Sequence, residues 1–445
     1  MEDHDGTAGI AHAPLIDSQI ERLLPRAVAL LQDMVRERSI NPLFPGIRRD
    51  DVIGGEARVG KQFAGFLGAF GFDADEVAVD PDRPNMVLTR PGAGGGRSLA
   101  INGHVDTVAP FHPEEWHAGN PWSGAIDGNR LYGLGATDMK GGLVAAALAA
   151  AAIDAAGLRL KGDLQFHAVV GEETMSHDLG TSAVLDAGHV TDAAIVVEPT
   201  GAAAPLNVAN VSAGNFNLQI EVHGYATHSG NRGASIRAGG AGSAAGVNAV
   251  EKAILVVQAL QQLEQEWGIT KAHPSFPAGL FSLAPGVFHG DAGVPSVGYL
   301  AERATVGYLV WYPPNETPEA IRAEIEAHVR HAAQLDSWLR DHPPRLHWES
   351  NWPVFDTPAD HPLIRQLVRD RAEVLGASDP GRAGAVGFTA VCDASFYQQK
   401  GVPAAVFGPG NLRQAHAANE FVLLTEIADS ARILARTIAG WCDVV

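Results

Sequence analysis

Three nearly continuous apolar runs, Leu99–His104, Leu164–Val170 and Ala193–Val197, each end at or just before an ionisable residue. Strands of that texture are buried on both faces, as in parallel sheets covered by helices, whereas a half-solvated sheet alternates apolar and polar positions. The first two hundred residues alternate such runs with helical patterns, which points to an α/β layer structure. Ionisable groups at the carboxyl ends of its strands fall where sites in α/β proteins gather.

A helix is expected from Ser18 to about Arg36, with Ser18 and Glu21 as a capping box, and a second near Gly55–Phe70. A strand is expected at Asn85–Thr89 and an Ala-rich helix at Lys140–Ala156. After Gly201 the texture changes. Phe216, Leu218, Ile220 and Val222 alternate, Ser243–Trp267 is an amphipathic helix, Gly279–Ala284 and Ala304–Tyr312 are strand-like, and a helix covers Pro318–Leu339. That order predicts an inserted α+β domain over 211–344, splitting an α/β domain into 1–210 and 345–445. The second part carries a helix at His361–Leu375, a strand at Ala404–Phe407 and a last helix at Leu424–Trp441.

Composition narrows the partners. The 51 acidic against 32 basic residues leave a formal charge of -19, which repels phosphate backbones and anionic lipid, so neither nucleic acid nor a membrane surface is expected. Cys392 and Cys442 have no thiolate-zinc spacing. The first residues lack a basic flank and an apolar h-region, and Gly142–Leu158 reads as too short for a spanning helix, so a cytoplasmic protein is expected.

No G-x-S-x-G elbow, phosphate loop or H-E-x-x-H motif occurs. What remains is a set of imidazoles and carboxylates. In NGHVDT, Asp106 lies two positions beyond His104, on the same side of an extended chain, where it can orient the imidazole. Asp138 precedes the Ala-rich helix, where capping is the more common role of an isolated Asp, so by itself it decides nothing. Glu172 and Glu173 follow one buried strand and point to opposite sides, so one can bind metal while the other addresses a substrate; alternation does not say which. Glu198 follows another strand, held extended by Pro199, and His416 lies in a Gly/Pro-rich loop. With one carboxylate bridging, two imidazoles and three carboxylates give each of two metals three ligands and an open position. Nitrogen and oxygen donors without thiolate suit Zn, Co or Mn.

The strings NGHVDT, LYGLGATDMKGG, GEET, VEPTG and FGPGNLRQAH, in this order, closely resemble the dinuclear zinc aminoacylase and carboxypeptidase family that includes acetylornithine deacetylase, succinyl-diaminopimelate desuccinylase and glutamate carboxypeptidase. The resemblance implies a mixed-sheet zinc-peptidase-like catalytic domain with an inserted lid that also forms a homodimer. It implies two divalent ions, zinc first, with Asp138 bridging, His104 and Glu198 completing one site, and Glu173 and His416 the other. Glu172 would be the general base, Asp106 would orient His104, and His228 of GYATHSG would stabilise the oxyanion, commonly from the neighbouring subunit. The implied reaction is hydrolysis of an N-acyl amino acid or related small amide.

The chain departs from the family pattern at three places. Leu134 stands where the glycine motif usually has Arg, Leu309-Val310-Trp311 replaces a common Asp-x-Arg, and Asp291-Ala292-Gly293 before Val294-Pro295 lacks the usual Asn. These changes bear on recognition of a substrate α-carboxylate, for which Arg232 and Arg237 are candidate replacements. A dipeptidase or carboxypeptidase within the same chemistry is the alternative reading, and a non-catalytic binding protein a third.

Overall fold

The computed structural model describes residues 12–116, 119–201, 204–376 and 384–445. It divides into two compact units, one of Met1–Val211, Phe355–Phe388 and Cys392–Val445, the other of Ser212–Val354 with Thr389–Val391.

The first unit is built on eight strands: β1 Asp73–Val77, β2 Asn85–Arg90, β3 Leu99–His104, β6 Leu164–Val169, β7 Ala193–Val196, β8 Ala209–Ser212, β13 Val386–Phe388 and β14 Ala404–Val406. They pair in the order β1-β2-β6-β3-β7-β14-β8-β13. The middle four, β6, β3, β7 and β14, run parallel, and antiparallel pairs flank them. Every residue of β3, β7 and β14 is buried, as their unbroken apolar texture requires. A small sheet of β4 Ala125–Asp127, β5 Arg130–Tyr132 and β15 Phe421–Leu423 lies in the same unit.

Helices α1 Ala13–Arg36, α2 Gly55–Gly68 and α3 Gly141–Ala155 belong to the first unit; α4 Ala249–Thr270 and α5 Pro318–Gln334 to the second; α6 Pro362–Leu375 and α7 Leu424–Cys442 again to the first. Helix α1 starts earlier than the capping-box reading places it. Pro14 lies in its first turn, where a fixed φ suits helix entry, and Ser18 sits inside, donating its hydroxyl to the Leu15 carbonyl at 2.8 Å. Helix α3 is buried from Gly141 to Ile153 and packs against α1 and α7. With the preceding turn, Ala136–Ala155 is long and apolar enough to cross a membrane, contrary to the shorter stretch expected, yet it is buried inside this unit from Ala136 to Ile153.

The second unit is an antiparallel sheet, β10 Leu283–Asp291, β11 Arg303–Tyr312, β9 Gly214–His223 and β12 Arg345–Trp352, in that order of pairing. The alternating side chains of β9 (Phe216, Leu218, Ile220, Val222) and β11 (Val306, Tyr308, Val310, Tyr312) form one core with Leu260 and Trp267 of α4 and Ile321 and Ile325 of α5. Two expected boundaries move. Helix α4 begins at Ala249 rather than Ser243, because Gly246 takes a φ of 138° and Asn248 caps the helix by accepting the Val250 N–H at 3.0 Å. The unit extends to Val354 rather than residue 344, because β12 pairs with β9.

Helix α3 meets β7 closely at Gly142, where a Cβ would sit 1.9 Å from the Val197 carbonyl oxygen. A Gly142→Ala change therefore forces the helix off the sheet beside the strand that leads to Glu198. Chemical denaturation should show a loss of about 1–3 kcal/mol or more; unchanged stability would contradict this packing.

Candidate metal centre

Four chain segments converge at the carboxyl edge of the parallel strands. His104 is the last residue of β3, the Glu172–Glu173 turn follows β6, Glu198 follows β7, and the His416 loop follows β14. Asp138 comes from the tight turn between β5 and α3, with Gly135 in the left-handed region before it. Because β6, β3, β7 and β14 are adjacent and parallel, their ends deliver these groups to one place.

The geometry centres on Asp138. Its Oδ1 lies 3.0 Å from His104 Nε2, and its Oδ2 lies 3.5 Å from His416 Nε2. Glu198 Oε1 is 3.8 Å from His104 Nε2, and Glu173 Oε2 is 2.8 Å from His416 Nε2. One carboxylate thus addresses two separate imidazoles, each paired with its own glutamate. Ligand atoms of His104, Asp138 and Glu173 lie within 4.8 Å of one another, as do those of His104, Glu172 and Glu198. A third group, His112 with Glu114 and Glu115, is exposed.

His104, Asp138 and Glu198 are buried, and His416 is half-exposed. Burial disfavours charge on His104, but the Asp138 contact and the nearby Glu172 and Glu198 outweigh it and hold the imidazole well above its ordinary value. For His416, contacts with Asp138 and Glu173 overcome burial and push it up to about 11. Burial would raise Asp138, yet its two imidazole partners hold it below the usual carboxylate range. Glu172 and Glu198 are driven well upward, first by burial and then by neighbouring carboxylates, and Glu173 is raised by burial and by Asp138. Among the described residues, the cationic partners in ion pairs with Asp138, Glu173 and Glu198 are these two imidazoles. Four carboxylates so close, withdrawn from water and lacking a Lys or Arg partner, suit divalent cations. The all-nitrogen and oxygen donor set fits such ions.

Asp106 differs from its expected contact. His104 Nδ1 faces the Asp106 backbone carbonyl at 2.9 Å, whereas the nearest recorded approach of the carboxylate is 3.8 Å. The Asp106 carbonyl thus occupies the place the alternation assigned to its side chain. The carboxylate instead accepts the N–H groups of Gly171 at 3.1 Å and Glu173 at 3.2 Å, and the amide of Asn41 at 2.7 Å. Asp106 therefore orients His104 through its main chain and positions the glutamate turn through its side chain.

Two contributors were not singled out from sequence. Asn41, fully buried, also donates to Thr174 Oγ1 at 2.9 Å, and nothing in the string INPLFPG marks it for this. Glu420 accepts the backbone N–H groups of Thr137 at 2.8 Å and Asp138 at 3.1 Å, and burial pushes its carboxyl up to about 8. It lies in the same AHAANE string as His416, where a carboxylate after the histidine was the available signal. His228 belongs to the second unit, is exposed, and caps a short turn by accepting the Gly230 N–H at 3.1 Å. Arg232, nearby in sequence, is paired with Glu251 at 2.5 Å.

Comparison with known proteins adds three findings. The profile of Peptidase family M20/M25/M40 matches residues 100–440. An N-formyl-4-amino-5-aminomethyl-2-methylpyrimidine deformylase of Halalkalibacterium halodurans is 30% identical over 385 residues, covering 84% of this chain and 86% of that protein. Among solved structures, human carnosine dipeptidase 1 superposes with a TM-score of 0.72 at 14% identity, covering 97% of this chain and 99% of that one. A dinuclear metal binding peptidase of the M20 family from Bacillus subtilis does so with a TM-score of 0.60 at 15% identity, over 95% of this chain and 100% of that one.

The raised imidazoles make metal uptake a proton exchange. The raised proton affinity of His104 and His416 means that a bound ion competes with protons for both imidazoles, so apparent affinity should rise with pH. Calorimetric titration in buffers of different ionisation enthalpy should register released protons; heats independent of buffer, with an affinity flat in pH, would count against the centre.

Proposed function

The chain belongs to peptidase family M20/M25/M40, a family of hydrolases, and from that premise we propose that it is a metal-dependent amide hydrolase that removes an N-acyl group from a small neutral amine. The observation that carries the proposal is Asp138 addressing His104 with one oxygen and His416 with the other. His104, Asp138 and Glu198 would hold one ion, and Asp138, Glu173 and His416 the second, with zinc the first candidate and cobalt or manganese alternatives. Bound ions of this kind supply Lewis acidity, polarising a carbonyl and lowering the pKa of water from about 16 toward about 7.

The remaining work falls to the chain's own groups. Glu172 neighbours His104 and Glu198 without contributing to the two paired sets, and withdrawal from water raises its affinity for a proton. It takes the proton from the attacking water and delivers it to the leaving nitrogen, so the amide C–N bond breaks to acid and amine. Asp106 holds the turn that aims it. His228, reaching a second copy of the chain in a homodimer, is read as the donor to the developing oxyanion.

Three features support a neutral amine rather than an amino acid. Leu134 is buried with Val108 and Trp116, and Phe44 and Ala418 pack against them. This apolar cluster adjoins the centre, since the Val108 N–H donates to Glu173 Oε1 at 3.2 Å and Ala418 follows His416 closely. The related deformylase, moreover, is named for an aminopyrimidine substrate. A dipeptidase remains the second reading.

Glu172→Gln should lower kcat about 10²- to 10⁴-fold with full metal content, and His228→Ala should also lower kcat without metal loss. Near-wild-type turnover in the Gln variant would remove Glu172 as the base. In a substrate panel, N-formyl and N-acetyl heteroaromatic amines should exceed N-acyl amino acids and dipeptides in kcat/KM by about tenfold or more. Preference for dipeptides would overturn the deacylase assignment.

A further inference from the structure

The two halves of the centre are held in different ways. His104 ends a central strand, in register with Val169, and Glu198 lies two positions beyond the end of another, so both sit at the edge of the sheet itself. Asp138 lies in a turn, and His416 lies in a loop where it and Asn419 adopt positive φ of 60° and 64°. Residues other than glycine enter that region at a cost, so surrounding contacts must hold such a loop.

Glu420 supplies the contacts. Its side chain is buried, and Oε1 accepts the N–H groups of both Thr137 and Asp138. Its main-chain carbonyl accepts the Gly133 N–H at 2.9 Å, and the following residue takes the Thr137 hydroxyl on its carbonyl at 2.6 Å. Phe421 then enters β15, which pairs with β5 through Phe421 and Tyr132. The segment bearing His416 is thereby fastened to the turn bearing Asp138 at side chain, main chain and strand.

We propose that Glu420 is a positioning residue that sets the separation of Asp138 and His416, so that the ion shared by Asp138, Glu173 and His416 depends on it more than does the ion at His104, Asp138 and Glu198, whose ligands do not include the His416 loop. This rests on the two-ion reading above. The requirement is reach: one oxygen must meet two successive N–H groups from the far side of the loop.

Glu420→Asp keeps the charge but is one methylene short. Glu420→Gln loses the charge but keeps an oxygen in place to accept both N–H groups. Metal-free wild type and both variants are titrated with Zn²⁺ by calorimetry with chelator competition, folding being followed by circular dichroism. In Glu420→Asp the first ion should bind close to wild type and the second about 10- to 100-fold more weakly, while Glu420→Gln should load both nearly as wild type does. The proposal is overturned if Glu420→Asp takes up both ions normally or loses both together, or if Glu420→Gln loses the second ion equally. Wild type that binds no more than one ion would instead count against the two-ion reading.

Discussion

Like charges withdrawn from water cannot share a small volume without a compensating cation, and the centre of this protein is organised around that constraint. Asp138, Glu172, Glu173 and Glu198 converge with two imidazoles as the partners in ion pairs. The crowding shows in the proton affinities of the groups: three of the carboxyls are driven upward by burial and both imidazoles are raised by their carboxylate neighbours. A pair of divalent ions would resolve it with the donors already present.

The convergence follows from strand order. Parallel strands β6, β3, β7 and β14 lie side by side, so residues far apart in the chain leave the sheet at one edge. Two buried carboxylates outside the proposed ligand sets then fasten what the sheet does not reach. Asp106 gathers the Glu172–Glu173 turn through the Gly171 and Glu173 N–H groups, and Glu420 gathers the Asp138 turn through Thr137 and Asp138. Each accepts backbone donors that would otherwise be buried unpaired, so stability and site geometry share the same hydrogen bonds.

Membership of a hydrolase family and the match to a deformylase agree with amide hydrolysis. Apolar Leu134 packs with Val108 and Trp116 in a buried cluster, and the Val108 N–H donates to Glu173 of the centre.

The fold class, the central strands, the core helices and the convergent imidazoles and carboxylates were legible because each rests on local pattern. Unbroken apolar runs mark doubly covered strands, and ionisable residues at their ends mark the edge where sites form. Less legible were features in which one segment answers another. Strand β12 belongs to the second sheet only through its pairing with β9, and α4 starts late because Gly246 turns the chain. Asp106 turns its carboxylate to the glutamate turn rather than to His104, and Asn41 and Glu420 act across 65 and 282 positions. Sequence by itself determined which residue types stand at the strand ends; tertiary structure decided which oxygen meets which donor. Hydrogen-bond partners depend on distances of a few tenths of an ångström between segments that chain proximity does not constrain.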